Sequence, residues 1–484
     1  MTKRIVMGPF NRVEGDLEVR LDSSEGQVIS AEVTSPLYRG FEKMLVGKPM
    51  MDALVYSPRI CGICSVSQSV AAAYALAGLG GRSVPPAGRH AVNLVHAVEN
   101  LADHFTHFYL FFMPDFARDT YADEPWYQPV AERFAAVKGT AAKDALPARA
   151  AWMEMLGILA GKWPHTLSIQ PGGSTRAISR SEKVRLGAII AQFRLYLERT
   201  LFGDTLENVA GLFSADALWQ WADQRASATS DFAMFLQVSR KLGLSKLGVS
   251  HNLHMSFGAY CLQEGHFLKR GAWQNGGPAV LALDRIREDI SHAWYRSAGD
   301  ASGPLNDFPV PDYDTSGDAY SWCKAPRLDG APVEVGALSR LLVDGHPLLR
   351  ELAANGANVE ARIVARMLEL ALIVPQMEQW LAAIDTEERF IDHSPLAEDG
   401  EAAGLTEAAR GSLGHWLRTR NGEIEHYQII APTTWNFSPR DAQGNPGPLE
   451  QALAGTPIRE GEVEPVAVQH VVRSFDPCMV CTVH

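Results

Sequence analysis

Two Cys-x-x-Cys pairs, Cys61/Cys64 and Cys478/Cys481, stand near opposite ends of a chain of 484 residues. Thiolates two residues apart can turn toward one soft metal, because the intervening turn directs both sulfurs inward. Two pairs serving one ion require the two ends of the chain to meet, which few folds allow. A structural zinc site normally draws both pairs from one compact module, so the separation disfavours zinc without removing it. An all-sulfur site suits nickel, iron-sulfur or copper, and ligand softness alone does not choose among them. The plainer readings are buried small hydrophobes, the usual fate of a lone cysteine, or redox thiols, although no thioredoxin-like βαβ pattern surrounds either pair.

The rest of the composition bounds the answer. Six cysteines are too few for a disulfide framework at this length, while 46% apolar residues supply a large core. A formal charge of −12 argues against nucleic acid as a partner, since phosphate binding needs a concentrated basic face. The first residues lack the apolar run of a secretory signal, and an acidic residue follows at Glu14. No stretch approaches the ~20 apolar residues of a membrane span. These features set the expectation of a soluble, cytoplasmic protein with no direct membrane span.

Residues 4–35 alternate apolar and polar around Ser23-Ser24-Glu25-Gly26 and predict a β-hairpin. From about residue 51 the period changes, and residues 87–113, 130–157, 181–202, 229–242 and 359–384 carry apolar side chains at helical spacing. Residues 303–317 and 398–404, rich in Gly, Pro, Asp and Glu, read as surface loops, and residues 423–431 as a strand stopped by Pro432. The expected fold is mainly α with small β (α+β). It is a long-helix bundle forming a single domain over residues 1–484, with its N- and C-terminal segments joined around a buried metal site.

The residues around the cysteines carry a resemblance. Arg59-Ile-Cys-Gly-Ile-Cys and Asp476-Pro-Cys-Met-Val-Cys-Thr-Val-His resemble the two nickel-binding signatures of the large subunit of nickel-iron hydrogenases. Further blocks resemble that family in the same order: Asn11-Arg-Val-Glu-Gly, Tyr38-Arg-Gly-Phe-Glu, His107-Phe-Tyr, Tyr320-Ser-Trp-Cys-Lys-Ala-Pro-Arg, Ala409-Arg-Gly-Ser-Leu-Gly-His-Trp and Pro432-Thr-Thr-Trp-Asn.

The resemblance implies a Ni-Fe(CN)2(CO) centre bound by all four thiolates, with Cys61 and Cys478 terminal on nickel and Cys64 and Cys481 bridging to iron. The implied reaction is heterolytic cleavage of dihydrogen. Glu14 then takes the proton onward; otherwise it would read as a solvated turn residue. Arg410 donates to a cyanide above the iron, with the Thr433 hydroxyl beside it, and Asp115 and Asp476 hold the arginine. As bland alternatives, those two carboxylates would be helix caps or surface charges. Glu42, His484 and a backbone carbonyl near Ile429 resemble ligands of Mg2+, a hard cation content with few protein ligands and several waters. Arg59, beside the first pair, and Gln68, four residues beyond it, fall around the site. Only Cys261 and Cys323 remain, each alone, so iron-sulfur clusters must sit in a partner small subunit that accepts the electrons.

This chain departs from the family pattern at three places. Gln68 stands where a histidine is common, and Gln neither titrates nor carries charge. Ala409 replaces a usual proline before Arg410. The sequence stops at His484, where catalytic members carry a C-terminal extension that is removed, so the chain is either the processed form or encoded without one. Gln68 and the missing extension resemble the regulatory, hydrogen-sensing branch, whose implied partner is a histidine kinase. Ile63 and Phe111 stand where many oxygen-sensitive members carry Val and Leu, consistent with a narrowed gas route or simply with core packing. The alternatives are an energy-conserving uptake hydrogenase and, in another class, a zinc-stabilised binding module; the homologous quinone-binding subunits of respiratory complexes lack these four cysteines.

Overall fold

The alternation in the first residues builds a three-stranded antiparallel sheet, Lys3–Met7, Glu18–Ser24 and Gln27–Thr34, one strand more than the expected hairpin. Leu17, Val19, Leu21, Val28 and Val33 fill its buried side. Glu25 and Gly26, both at positive φ (52° and 74°), make the turn. The computed structural model describes residues 3–225, 229–296, 301–306 and 309–484.

The helical periods form helices, with informative breaks. Pro86–Thr106 runs on into a π-helical turn, His107–Phe112, and Arg180–Tyr196 continues likewise through Leu197–Phe202. Residues 130–157 divide into Tyr127–Phe134 and Thr140–Ala160, because the chain doubles back at Gly139. A Cβ there would lie 2.5 Å from the Arg133 carbonyl oxygen. Asp231–Leu242 and the 25-residue helix Val359–Ala383 complete the set. The molecule is mainly helical with smaller sheets, in agreement with the sequence.

Several β elements were not anticipated, among them the sheet of Ile286–Asp289, Ala301–Ser302 and Ala325–Leu328. Leu253–Cys261 and His266–Gln274 form a hairpin, extended by Gly277–Ala279 on one side and Val333–Glu334 on the other. Residues 398–404, expected as a loop, instead lead into the edge strand Gly400–Ala408 of a sheet with Gly411–Arg420 and Glu423–Ile430. Gly404 is there for close approach rather than a turn: an added Cβ would come within 1.9 Å of the Ala71 carbonyl oxygen. Residues 303–317 stay irregular apart from Val310–Pro311, and positions 307–308 of that segment lie outside the described residues.

The strand Gly400–Ala408 therefore lies directly against the helix Ser65–Gly80, whose Ser and Ala side chains keep the backbones close. Ser65 through Ala73 are all buried along this helix, so its N-terminus, where Cys64 sits, is anchored in the core. At the other end of the chain, Val466–Ser474 is equally buried and delivers the second cysteine pair through a 3-10 turn, Met479–Cys481. One hydrophobic cluster includes residues from Ile5 to Cys481. A smaller one, with Phe257, Leu405, Trp416 and Trp435, lies between the two β layers.

Candidate metal centre

The four cysteine sulfurs meet. Every pair of Sγ atoms lies within 4.8 Å, and all four side chains are buried. Cys61 faces Cys478 at 3.4 Å, Cys64 faces Cys481 at 3.3 Å, and Cys478 and Cys481 are 3.0 Å apart. Two thiolate bonds of ~2.3 Å span at most ~4.6 Å, so one soft ion can reach the whole set. The sulfurs compete for protons. Hydrogen bonds from Cys478, Cys481 and Cys64 hold the Cys61 thiol well below the ordinary range, and Arg410 adds to this. Hydrogen bonding to its neighbours and burial push Cys64 up, and burial with the neighbouring sulfurs pushes Cys478 and Cys481 up. Several thiolates at this spacing need a cation among them to be ionised together, so the donor set fits a soft metal.

Two loops hold this cluster from either side. Glu14 lies in register with Cys478 as a parallel bridge, its N–H donating to the Pro477 carbonyl at 3.3 Å and its carbonyl accepting from the Met479 N–H at 2.7 Å. Gly15 permits this approach, since its Cβ would stand 3.0 Å from the Val480 side chain. Burial pushes the Glu14 carboxyl above its ordinary range and the nearby Cys61 adds to this, while Arg410 pulls it back. Arg39 ties the two cysteine segments together, donating to the Ile60 carbonyl and, at 3.1 Å, to that of Val480. The sequence reading placed Arg59 here. Its side chain is exposed, because the 3-10 turn Ser57–Arg59 points it outward, and only its carbonyl joins the network.

Arg410 is buried over this side of the cluster. It donates through Nε to the Asp476 carbonyl at 2.9 Å, and its Nη2 lies 2.9 Å from Asp103 and 3.3 Å from the Asp476 carboxylate. Asp103 thus takes the place expected for Asp115. Asp115 does not meet Arg410: it is wholly buried against Arg473, Arg12, Arg118 and His470, one turn beyond the π-helical segment. Burial pushes Asp103 up, while Arg410 holds Asp476 down, to about 2. Thr433 Oγ1 accepts from the Cys478 N–H at 3.2 Å, leaving its hydroxyl hydrogen to be donated elsewhere.

Behind the first pair, Gln68 Oε1 accepts from His415 Nε2 at 2.7 Å, and His415 Nδ1 meets the Tyr427 hydroxyl at 2.8 Å. Burial pulls His415 down to about 3, so the ring is neutral. Glu99, from the helix Pro86–Thr106, caps the helix that starts after Cys64 by accepting the N–H groups of Val66 (2.9 Å) and Ser67 (3.0 Å) and the Trp163 indole N–H (2.9 Å). Ile63 and Phe111 are half-buried, and the Phe111 carbonyl accepts from Arg12.

A second polar nest lies on the other side. Glu42 accepts the Ile429 N–H at 3.1 Å and lies 3.2 Å from Lys324 Nζ, which also stands 3.7 Å from Glu288. Burial pushes Glu42 up and Glu288 up to about 7; Lys324, despite burial, is raised by both carboxylates. His484 is buried with Nε2 unpartnered, and burial holds its imidazole well below its ordinary range. Among the described residues, however, the four cysteines are the one group of three or more His, Cys, Asp and Glu whose ligand atoms meet at metal-binding distance, and Lys324 stands between the two carboxylates.

Sequence reasoning missed Asp103, Glu99, Arg39, His415 and Lys324. A signal for the first two was present: His96, Glu99 and Asp103 recur at helical spacing on an apolar helix, too many polar groups for an ordinary core face.

The family model described as nickel-dependent hydrogenase matches residues 39–125 and 120–484. The chain belongs to that family. It is 29% identical to the large subunit of the periplasmic [NiFeSe] hydrogenase of Desulfomicrobium baculatum, over 99% of this chain and 95% of that one. To the uptake hydrogenase large subunit of Rhizobium leguminosarum bv. viciae it is 26% identical, over 100% and 95%. Among solved structures, the Ni-Fe-Se hydrogenase of D. vulgaris Hildenborough superposes with a TM-score of 0.84 at 26% identity, covering 100% of both chains. As a member of this family the chain is a hydrogenase, an oxidoreductase, and the buried four-cysteine group is its candidate nickel site. Among the described residues, no helix is long and apolar enough to cross a membrane.

Proposed function

We propose that this chain is the large subunit of a hydrogen-sensing nickel-iron hydrogenase acting in the cytoplasm, which cleaves dihydrogen slowly and reports it to a histidine kinase. A nickel-iron centre with CO and cyanide ligands supplies the polarisation that splits dihydrogen heterolytically. All four cysteines, Cys61 facing Cys478 and Cys64 facing Cys481 across the two segments, would hold the nickel-iron group. Glu14 takes the proton: it is half-buried, burial raises its carboxyl above the ordinary range, and it lies in register with Cys478. Arg410, braced by Asp103 and Asp476, presents fixed cationic donors to the cyanides, and Thr433 offers a hydroxyl beside them. Glu42 and His484, with the backbone at Ile429, hold Mg2+. The two electrons leave through iron-sulfur clusters in a small subunit.

The observation that carries the sensing reading is Gln68, held by its carbonyl against a neutral His415 where a titratable histidine is the common residue. A group that cannot take a proton removes one charge state from the surroundings of Cys64. The test is Gln68→His in the complex with its small subunit. Turnover that rises together with loss of hydrogen-dependent kinase output supports the reading, and unchanged turnover and output overturn it. An energy-conserving uptake role is the second reading, favoured by the likeness to the Rhizobium uptake large subunit. Hydrogen-dependent quinone or dye reduction at high rate with no kinase response selects it.

A further inference from the structure

Asp115 lies away from Arg410, yet it is the most heavily engaged carboxylate among the described residues near the cluster. It is wholly buried, and Arg473 Nη1 lies 2.9 Å and 2.7 Å from its two oxygens. Arg12 Nη2 donates to the same carboxylate, with Arg118 at 3.2 Å and His470 at 3.4 Å. A carboxylate in so many contacts is a fixed anchor rather than a proton carrier: despite burial, His470, Arg473 and Arg12 hold it well below its ordinary range.

What it anchors is the loop that carries Glu14. Arg473 donates to the Asn11 carbonyl (2.8 Å) and to Asn11 Oδ1 (2.6 Å). Arg12 donates in turn to the Phe111 carbonyl at 3.2 Å, so the two arginines grip the loop immediately before Glu14. The loop needs that grip. Arg12 sits at φ 54°, in the left-handed region that side-chain-bearing residues avoid, and such a conformation persists only where its surroundings over-determine it. Asp476, on the facing segment, is left-handed as well, at φ 57°. Two strained residues thus flank the point where Glu14 is in register with Cys478.

We propose that Asp115 is a positioning residue for proton transfer at Glu14: through Arg12 and Arg473 it holds the strained loop that sets Glu14 against Cys478. The inference rests on the reading of Glu14 as the proton acceptor. Proton transfer needs hydrogen-bonding reach, and a shift of about 1 Å in a supporting group costs on the order of 10²-fold in rate. Relaxing Arg12 to a negative φ moves the chain two residues before the acceptor.

The test uses the complex with its small subunit and two readouts: exchange of dihydrogen with deuterated water, and amide exchange of residues 11–15 followed by mass spectrometry. Asp115→Asn and, as a milder change, Arg12→Gly are each expected to slow dihydrogen exchange at least tenfold. Both should speed amide exchange of residues 11–15 at least tenfold, with nickel content unchanged. Arg12→Lys, which keeps a cation on Asp115, should recover part of the rate. On a Glu14→Gln background, Arg12→Gly should add no further loss. Full additivity there, or Arg12→Gly that leaves both exchanges at the parent rate or loses nickel, overturns the positioning role while leaving Glu14 in place. Glu14→Gln with undiminished dihydrogen exchange overturns the reading of Glu14 and this inference with it.

Discussion

At the scale of single residues, the site is organised by which carboxylate reaches which guanidinium. Arg410 has two carboxylate partners, Asp103 and Asp476, and its Nη2 is shared between them. Replacing the Asp103 carboxyl leaves the arginine buried with one carboxylate partner and free to turn from the cluster. Asp103→Asn is therefore expected to retain nickel but to lower hydrogen oxidation by on the order of 10²-fold, as loss of one preorganised donor does in other enzymes. It should also shift the cyanide stretching bands in the infrared, whereas Asp115→Asn should leave those bands in place, because Asp115 has no contact with Arg410. Unshifted bands in Asp103→Asn would return the bracing role to Asp476 alone. The four cysteines, Glu14, Arg410 and Asp476 were legible in the sequence because they stand in short blocks of recognisable order. Asp103 was not, because its role depends on where a 21-residue helix points one side chain.

At the scale of elements, the first cysteine pair is placed by one helix, Ser65–Gly80, whose two contacts are unusual. Its N-terminal amides are capped by Glu99 from a different helix, and burial pushes that carboxyl up to about 7. A carboxyl whose folded pKa is raised from about 4.5 to about 7 binds its proton more tightly in the folded state. Its contribution to stability is therefore fully present below about pH 4.5 and is lost as the pH rises to about 7. The most this can amount to is ~3.5 kcal/mol, at ~1.4 kcal/mol for each pKa unit. Glu99→Gln, which cannot ionise, is expected to be less stable than the parent at pH 5, with the gap narrowing toward pH 8; melting temperatures across that range would show it. A gap that widens with pH would mean that the amides of Val66 and Ser67, not burial, control the group.

The same helix carries Gly404 against its backbone. Gly404→Ala would push a Cβ to within 1.9 Å of the Ala71 oxygen and 2.4 Å of the Ala75 nitrogen, neither of which can yield without moving the helix. The expected cost is ~3 kcal/mol, the upper part of the range for overpacking. A drop in nickel content is expected as well, because Cys64 begins this helix. The sequence reading took residues 398–404 for a loop since glycine and acidic residues mark turns locally; close approach to a partner element leaves no local trace. The hairpin Leu253–Cys261 and His266–Gln274 did leave a local trace, since Leu253, Met255, Phe257 and Ala259 alternate with His254, Ser256 and Gly258 although both faces of that strand are buried.

At the scale of the whole molecule, the question is what the metal holds together. The two cysteine pairs come from opposite ends of the chain, and a metal between them closes a loop of more than 400 residues. In small domains such a closure decides whether the chain folds at all. Here the core argues otherwise, since one hydrophobic cluster already runs from Ile5 to Cys481. The last residues also have protein partners of their own: Met479 on the Glu14 carbonyl, Val480 on Arg39, and Thr482 within 2.5 Å of the Ser35 hydroxyl. These contacts gather around the cysteines, whereas the helices behind them bury their own apolar side chains. Stability should therefore be partitioned, with the loops at residues 11–16 and 475–484 depending on the metal and the helical core not. The nickel-free protein is expected to keep its helical circular dichroism and cooperative melting, while amide exchange in those two segments rises by at least tenfold over the loaded protein. Proteases should then cut first near residues 475–484. Metal-free protein that loses its helical signal outright would show instead that closing the two ends is a condition for folding the core.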